Sequence, residues 1–230
     1  MLGKAVGYRD QRTDGMDKEV YKIINEVDLY SRTGIQKAIY NTIYQLMAIK
    51  KNNPDYMEKA EALLMIPDYF HYKLSGNKVQ EYSEATTSQL LNPVTKDWDY
   101  ELIEKLGYSK RIFQKICMPG TVVGPLTKKV REMVGYDCQV VLPPTHDTAS
   151  AIMAIPSNRE DICYISSGAW SLMGVERTVA DCSYASKEAN FTNEGGYNGK
   201  ITYLTNIMGL WMIQSVRKRY RHWKYPDADD

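Results

Sequence analysis

Phenylalanine, histidine and cysteine are all scarce in this 230-residue chain, at three, three and four residues. The cysteines, Cys117, Cys138, Cys163 and Cys182, show no C-x-x-C spacing. That excludes a dithiol motif and points to reduced thiols in a cytoplasmic protein. No charge sign dominates: 29 Lys and Arg stand against 28 Asp and Glu, a net charge of +1. Such a balance gives no reason to expect nucleic acid or a charged membrane as partner. Met1 to Gly15 is polar, and no apolar run approaches the roughly 18 residues of a membrane span, so neither a secretory leader nor a bilayer-crossing helix is expected. There is no internal repeat and no low-complexity linker.

What is present is ordinary for a globular protein, with 43% apolar and 25% charged residues, and the length suits one large or two small domains. The exception is eighteen tyrosines against three phenylalanines. Tyrosines facing a sugar would account for a few, and half-buried rings with a wet hydroxyl for the rest.

The early chain reads as helical. Val20, Ile23, Ile24 and Val27 are spaced as one helix over 17–27, and Arg32-Thr33-Gly34 is a break. Ile39 to Ile49 is a second helix with Ile39, Ile43, Leu46 and Met47 inward. Asn53-Pro54 stops it, and Pro54 opens another that runs to about Met65. Pro67 to Leu74 is short and ends at Gly76. The polar, threonine-rich run Glu81 to Asn92 has no clear periodicity. Asp97 is the expected cap of a helix carrying Leu102, Ile103 and Leu106, and Ser109 of the next. Pro119-Gly120 introduces a strand at Thr121 to Val123, and Thr127 to Val134 is a helix closed by Gly135.

The chain is organised around Gln139 to Gly174. Val140, Val141 and Leu142 form a short buried strand ended by Pro143-Pro144. Thr145-His146-Asp147-Thr148 opens a small-residue helix, Ala149 to Ile155. Ile162 to Ile165 is a strand, Ser166-Ser167-Gly168 a turn, and Trp170 to Val175 a returning strand. A carboxylate where strand passes into helix stands where ligands collect in open α/β sheets, and suits accepting a proton from a hydroxyl. A Ser-Ser-Gly turn suits a phosphate. Together they point to phosphoryl transfer to an alcohol, although a structural Asp147 capping its own helix fits the residues equally well. The rest reads as a polar loop from Val175 to Ala189, a loop from Asn190 to Asn198, a strand from Lys200 to Leu204, and an amphipathic helix from Ile207 that ends in Arg217-Lys218-Arg219 and Arg221. Those cations suit a helix C-terminus better than a nucleic-acid surface. Pro226 to Asp230 reads as an acidic tail.

The runs THDTASAIMAIP, YISSGAWSLMG and NFTNEGGYNGKITYLTNIMGLWMIQ resemble the FGGY carbohydrate kinase family. So do GYRDQRT, RTGIQ with NTIYQL, LLMIPDYFHYKLSG and EYSEATTSQLLN, in the same order, from about Val6 to Gln214. The resemblance implies an α/β fold of the actin-like, ribonuclease H-like ATPase type: residues 1–156 as the C-terminal part of a sugar-binding domain, 157–230 as the beginning of an ATP-binding domain. It implies ATP and Mg2+ as cofactors and transfer of the γ-phosphate to the primary hydroxyl of L-rhamnulose, or of a related ketose such as fuculose. By the same resemblance Asp147 is the catalytic base, His146, Asp147 and Thr148 bind the sugar, and Gly168, Ala169, Asn206 and Gln214 bind ATP. Asn206 and Gln214 are expected eight apart on one helix, facing the same way. Arg9 and Asp10 are expected to be ion-paired near the cleft.

Two features depart from the family pattern. Ala169 stands where threonine is usual, so one hydroxyl contact to ATP is missing. A D-x-G-x-x-[ST]-like phosphate loop and a glycine-rich adenosine site are absent; Gly195-Gly196 belongs to the NEGG run. The expectation is therefore a central fragment, inactive alone unless joined by a complementary fragment or a homo-oligomer. The rival reading is a non-catalytic sugar-binding remnant. An aspartic protease is excluded, because Asp147-Thr148-Ala149-Ser150 has no second copy.

Overall fold

Breaks and caps divide the first half into short helices that bury one shared core. The computed structural model describes residues 2, 3, 7, 10–157, 159, 162–168 and 170–220. Arg9, Ala169, Arg221 and the tail Pro226 to Asp230 lie outside the described residues. Asp10 accepts a hydrogen bond from the Arg12 backbone N–H at 3.1 Å and pairs with its guanidinium.

The helix expected over 17–27 is two: α1 (Met16–Tyr21) and α2 (Glu26–Thr33). The cause is Asn25, whose side chain accepts the Asp28 N–H at 2.9 Å and starts α2 afresh. Gly34 closes α2 in the left-handed region, φ 68°. Next come α3 (Thr42–Asn52), α4 (Pro54–Lys59) and α5 (Ile66–Ser75). Pro54 opens α4 as expected, but α4 stops at Lys59 rather than Met65. Ile39 precedes α3 and is exposed, while Ile43, Leu46 and Met47 are buried.

The run without periodicity forms β1 (Gln80–Glu81), α6 (Tyr82–Thr86) and β2 (Leu91–Asn92). It is polar yet buried: Gln80, Glu81, Ser83 and Ser88 have no exposed surface. β2 pairs with β3 (Asp97–Trp98), which places Asp97 in a strand. Asp99, not Asp97, caps α7 (Tyr100–Lys105), accepting the Leu102 N–H at 3.0 Å. The Arg32 guanidinium binds both Asp99 carboxylate oxygens at 2.8 Å and ties α2 to this cap. β4 (Ile116–Cys117) runs parallel to β1, and β5 (Val122–Pro125) leads through α8 (Lys128–Val134) to its antiparallel partner β6 (Gln139–Val141). Val20, Leu29, Ile43, Tyr44, Tyr82, Leu90, Leu102 and Leu106 form the centre of the core. Each such burial stabilises by about 1.5–3 kcal/mol.

α9 (Asp147–Met153) follows, two residues earlier than expected, so that Asp147 is its first residue. The remainder is an antiparallel sheet: β7 (Cys163–Ser167), β8 (Ser171–Arg177), then α10 (Tyr184–Glu188), β9 (Phe191–Gly195) and β10 (Ile201–Ile207), in the spatial order β7-β8-β10-β9. Two expected loops therefore hold regular structure. Ser183 caps α10 through the Ser186 N–H, and Asn190 to Asn198 contains β9, paired along β10. Asn206 lies on β10 opposite Leu172, so it shares no helix with Gln214, which lies on α11 (Leu210–Tyr220). The pairing along β8 carries the strand through Asn206, and the helix starts only after Gly209. No residue of α11 is buried, and its basic residues fill its last turn.

The sheet is docked on the helical half by buried polar contacts. The Tyr30 hydroxyl bonds Ser186 Oγ at 2.8 Å and the Phe191 carbonyl at 2.7 Å. Asn193 donates its side-chain amide to the Gly34 carbonyl at 2.9 Å. The Gly195 N–H donates to Thr86 Oγ1 at 2.8 Å. A Cβ on Gly195 would stand 2.7 Å from the Tyr82 ring and 3.0 Å from Thr86 Cγ2. All four cysteines are unpaired, and among the described residues no helix is long and apolar enough to cross a membrane.

Two predictions follow from this packing. Gly195→Ala should destabilise the chain by about 1–3 kcal/mol through overpacking against Tyr82, read as a lower urea midpoint. Asp68 is buried and accepts the Glu81 and Met65 N–H groups, and burial pushes its carboxyl up to about 7. Folding then favours its protonated form, so this group's stabilising contribution is full below about pH 4 and is lost as pH rises to about 7. Urea unfolding at pH 4.5 and 7.5 should show that loss, and Asp68→Asn should reduce it.

Candidate functional site

The loop before α9 is set by one buried carboxylate. Glu81 Oε1 accepts the Ser83 N–H at 2.8 Å. Its Oε2 accepts the Glu84 N–H at 3.1 Å, the Ser83 hydroxyl at 2.5 Å, and the Thr145 N–H and hydroxyl at 3.0 and 2.7 Å. The Ser83 hydroxyl in turn accepts the His146 N–H at 3.1 Å. Glu81 thus caps α6 and holds Thr145-His146 in one network. At the other side of the loop, Ser150 Oγ donates to the Pro144 carbonyl at 2.5 Å, and the Ser150 N–H to the His146 carbonyl at 3.1 Å.

This network brings His146, Asp147 and Thr148 to the head of α9 in different settings. Asp147 is exposed, in a first helical turn that favours negative charge. It is not the helix cap; His146 occupies that position, without a side-chain cap bond. Thr148 is buried, and its hydroxyl lies 3.5 Å from Asp147 Oδ1, facing the carboxylate rather than open space. The His146 ring is partly enclosed, with Nδ1 3.4 Å from Glu194 Oε2. Burial raises the Glu194 carboxyl above the usual range, opposed by His146 and reinforced by Asp147. Burial likewise raises Glu84, which His146 lowers and Glu81, Asp147 and Glu194 raise further.

Of the expected ATP residues, Gly168 and Asn206 lie at one end of the sheet. Ser167 and Ser171 pair at the β7–β8 hairpin, with their hydroxyls 3.1 Å apart. The Gly168 N–H closes the turn on the Trp170 carbonyl at 2.7 Å, and the Gly168 carbonyl receives the Leu210 N–H at 3.1 Å. That bond joins the start of α11 to the turn, and Asn206 lies beside it through Leu172. Asn206 and Gln214 are both exposed. α9 packs against β7, so the helix of Asp147 lies on the strand leading into this turn.

Glu81, Ser83, Glu84 and Glu194 were not singled out by motif. The contacts that define them cross long stretches of chain; the visible signals were the family-like runs EYSEATTSQLLN, which holds the first three, and NFTNEGG, which holds Glu194.

The architecture is shared with solved sugar kinases. A xylulose kinase from Lactobacillus acidophilus superposes with a TM-score of 0.83 at 19% identity, covering 94% of this chain and 44% of that one. A Plasmodium falciparum glycerol kinase with ADP gives 0.79 at 15%, covering 98% and 46%. The fold is therefore the α/β, actin-like, ribonuclease H-like fold of sugar kinases, present in part. The model of the FGGY family of carbohydrate kinases, N-terminal domain, matches residues 1–154, and the chain belongs to that family. Rhamnulokinases of Oceanobacillus iheyensis and Halalkalibacterium halodurans are each 51% identical over 219 residues, 95% of this chain and 46% and 47% of theirs. The chain spans about half the length of these curated relatives.

Replacing Glu81 by Ala should leave the Ser83, Glu84 and Thr145 amides without their acceptor. At about 1–3 kcal/mol for each buried group left unmatched, we expect a loss of several kcal/mol in urea unfolding. Hydrogen exchange at Thr145 and His146 should speed up more than at Leu102 in the core.

Proposed function

We propose that this chain carries the sugar-facing section of an ATP-dependent kinase that phosphorylates the primary hydroxyl of L-rhamnulose. The observation that carries the reading is Asp147: an exposed carboxylate opening α9, directly after a loop held by buried Glu81, in a chain 51% identical to rhamnulokinases over 95% of its length. In this reading residues 1–156 contribute to the sugar-binding domain and 157–230 open the ATP-binding domain.

Asp147 accepts the proton of the sugar hydroxyl as its oxygen attacks in line. Phosphoryl transfer has a loose transition state, so positioning outweighs proton removal. Thr148 contributes by directing its hydroxyl to the Asp147 carboxylate, and His146 offers its open ring edge to the sugar. Gly168 and Ala169 are the positions assigned to the phosphate side of ATP, with Asn206 and Gln214 as side-chain contacts. Mg2+ neutralises phosphate charge when bound. It is ordinarily held by substrate phosphates, water and one or two carboxylates. Among the described residues no cluster of three or more His, Cys, Asp or Glu is placed to cage a metal, so the substrate phosphates and water would be its main ligands.

The test is ADP release with ATP, magnesium and L-rhamnulose, beside calorimetric titration of the sugar. Asp147→Asn should lower release by about 10²–10⁴-fold while the chain still folds. Measurable release that is equal in both forms would overturn the assignment of Asp147. Sugar binding without release would favour a non-catalytic sugar-binding protein, the reading to which Ala169 lends weight.

A further inference from the structure

Glu194 has no part in the reading above, yet the backbone on either side of it is anchored. Its neighbours on β9 are both anchored to the helical half. Asn193 is 1% exposed and bonds the Gly34 and Asp181 carbonyls, at 2.9 and 3.0 Å. Gly195 is bonded to Thr86 and has no room for a Cβ against Tyr82. The Glu194 carbonyl accepts the Thr202 hydroxyl at 3.0 Å. The backbone on either side thus fixes where the Glu194 side chain can go, and it goes to His146.

The pair is enclosed but not closed. His146 Nδ1 and Glu194 Oε2 are both buried without a conventional hydrogen bond, and they lie 3.4 Å apart. An unmatched buried donor and acceptor this close gain most by meeting each other, through a movement of a few tenths of an ångström. Of the two His146 ring nitrogens, Nδ1 alone is enclosed in this way, and the side chain keeps 22% of its surface exposed. Two further carboxylates bear on the pair electrostatically: Glu84 of α6, which the His146 charge favours, and Asp147 of α9, which opposes ionisation of Glu194.

We propose that Glu194 is a positioning residue: it accepts the Nδ1–H of His146, fixing the ring so that Nε2 presents a lone pair to a hydroxyl of the sugar. A hydrogen bond made by one imidazole nitrogen sets the tautomer and hence the role of the other. The consequence for a polyol ligand is concrete. His146 becomes an acceptor at Nε2 beside the acceptor Asp147, so the sugar presents two hydroxyl donors to this corner of the cleft. It also means that a strand of the second half orients a loop of the first. The sugar-facing part of the proposal rests on the kinase reading; the tautomer does not.

The experiment is nitrogen-15 NMR of the imidazoles in the full chain, which has three histidines, with His146 assigned by a His146→Gln variant. The wild-type chain at neutral pH should show His146 protonated at Nδ1 and bare at Nε2, and Glu194→Ala should lose that preference. Glu194→Gln, whose amide oxygen can still accept, should keep it, with a melting profile near wild type. L-rhamnulose titrated by calorimetry should bind about tenfold more weakly to Glu194→Ala and within about threefold of wild type to Glu194→Gln, as the loss of one charge-assisted bond implies. A wild-type His146 protonated at Nε2 instead, or a tautomer unchanged in Glu194→Ala, would overturn the proposal, and neither outcome requires a variant that binds sugar. A wild-type chain with the Nδ1–H form and no affinity for L-rhamnulose would leave the positioning role standing and remove the sugar reading.

Discussion

A carboxylate with no exposed surface and five donors around it is the interaction on which this site depends. Taking Glu81 out of water is costly, and the cost is offset only because every donor it meets is itself a group that would otherwise be unmatched. The arrangement makes α6 and the loop before α9 a single unit, although 64 residues separate Glu81 from Thr145. Asp147 can then be held in place while remaining exposed, since its own side chain is not needed to hold the loop.

The same economy recurs where the sheet meets the helices. Tyr30, Asn193, Thr86 and Gly195 are joined through hydroxyls, amides and backbone groups rather than through a second apolar core. Such contacts are directional. They hold β9 in one register against α6, which places the Glu194 side chain against His146. The large number of tyrosines finds part of its reason here. Tyr30, Tyr44, Tyr82 and Tyr108 are buried as bulk, and the Tyr30 and Tyr108 hydroxyls donate to the backbone carbonyls of Phe191 and Ile43. The sequence reading, rings half buried with a wet hydroxyl, describes these four poorly: they are core residues whose hydroxyls are largely dry.

Much of the local structure was legible because its causes are local. Gly34, Gly76 and Gly135 end helices at left-handed positions, and Pro54 starts one. The errors arose where two local signals compete or where pairing decides. Asn25 outweighs the helical spacing of Val20 to Val27. Asp99 rather than Asp97 caps α7, because Asp97 is taken by the pairing of β3 with β2. Asn190 to Asn198 looks like a loop from its asparagines and glycines, and becomes a strand because β10 supplies a partner. Asn206 follows the same rule, since a residue paired with Leu172 is in a strand whatever its neighbours favour.

The sequence by itself determined the family, the helix ends at Gly34, Gly76 and Gly135, and the run Thr145 to Thr148 with Asp147 at its centre, because motif and glycine-stop chemistry are written in neighbouring residues. Only the tertiary structure decided that Glu81 and Ser83 hold that run, that Thr148 turns inward to Asp147, and that Glu194 stands against His146. Those relations join residues tens of positions apart, and no periodicity or spacing encodes which buried donor will meet which buried acceptor. They are settled when the chain closes and each polar group taken out of water must find a partner.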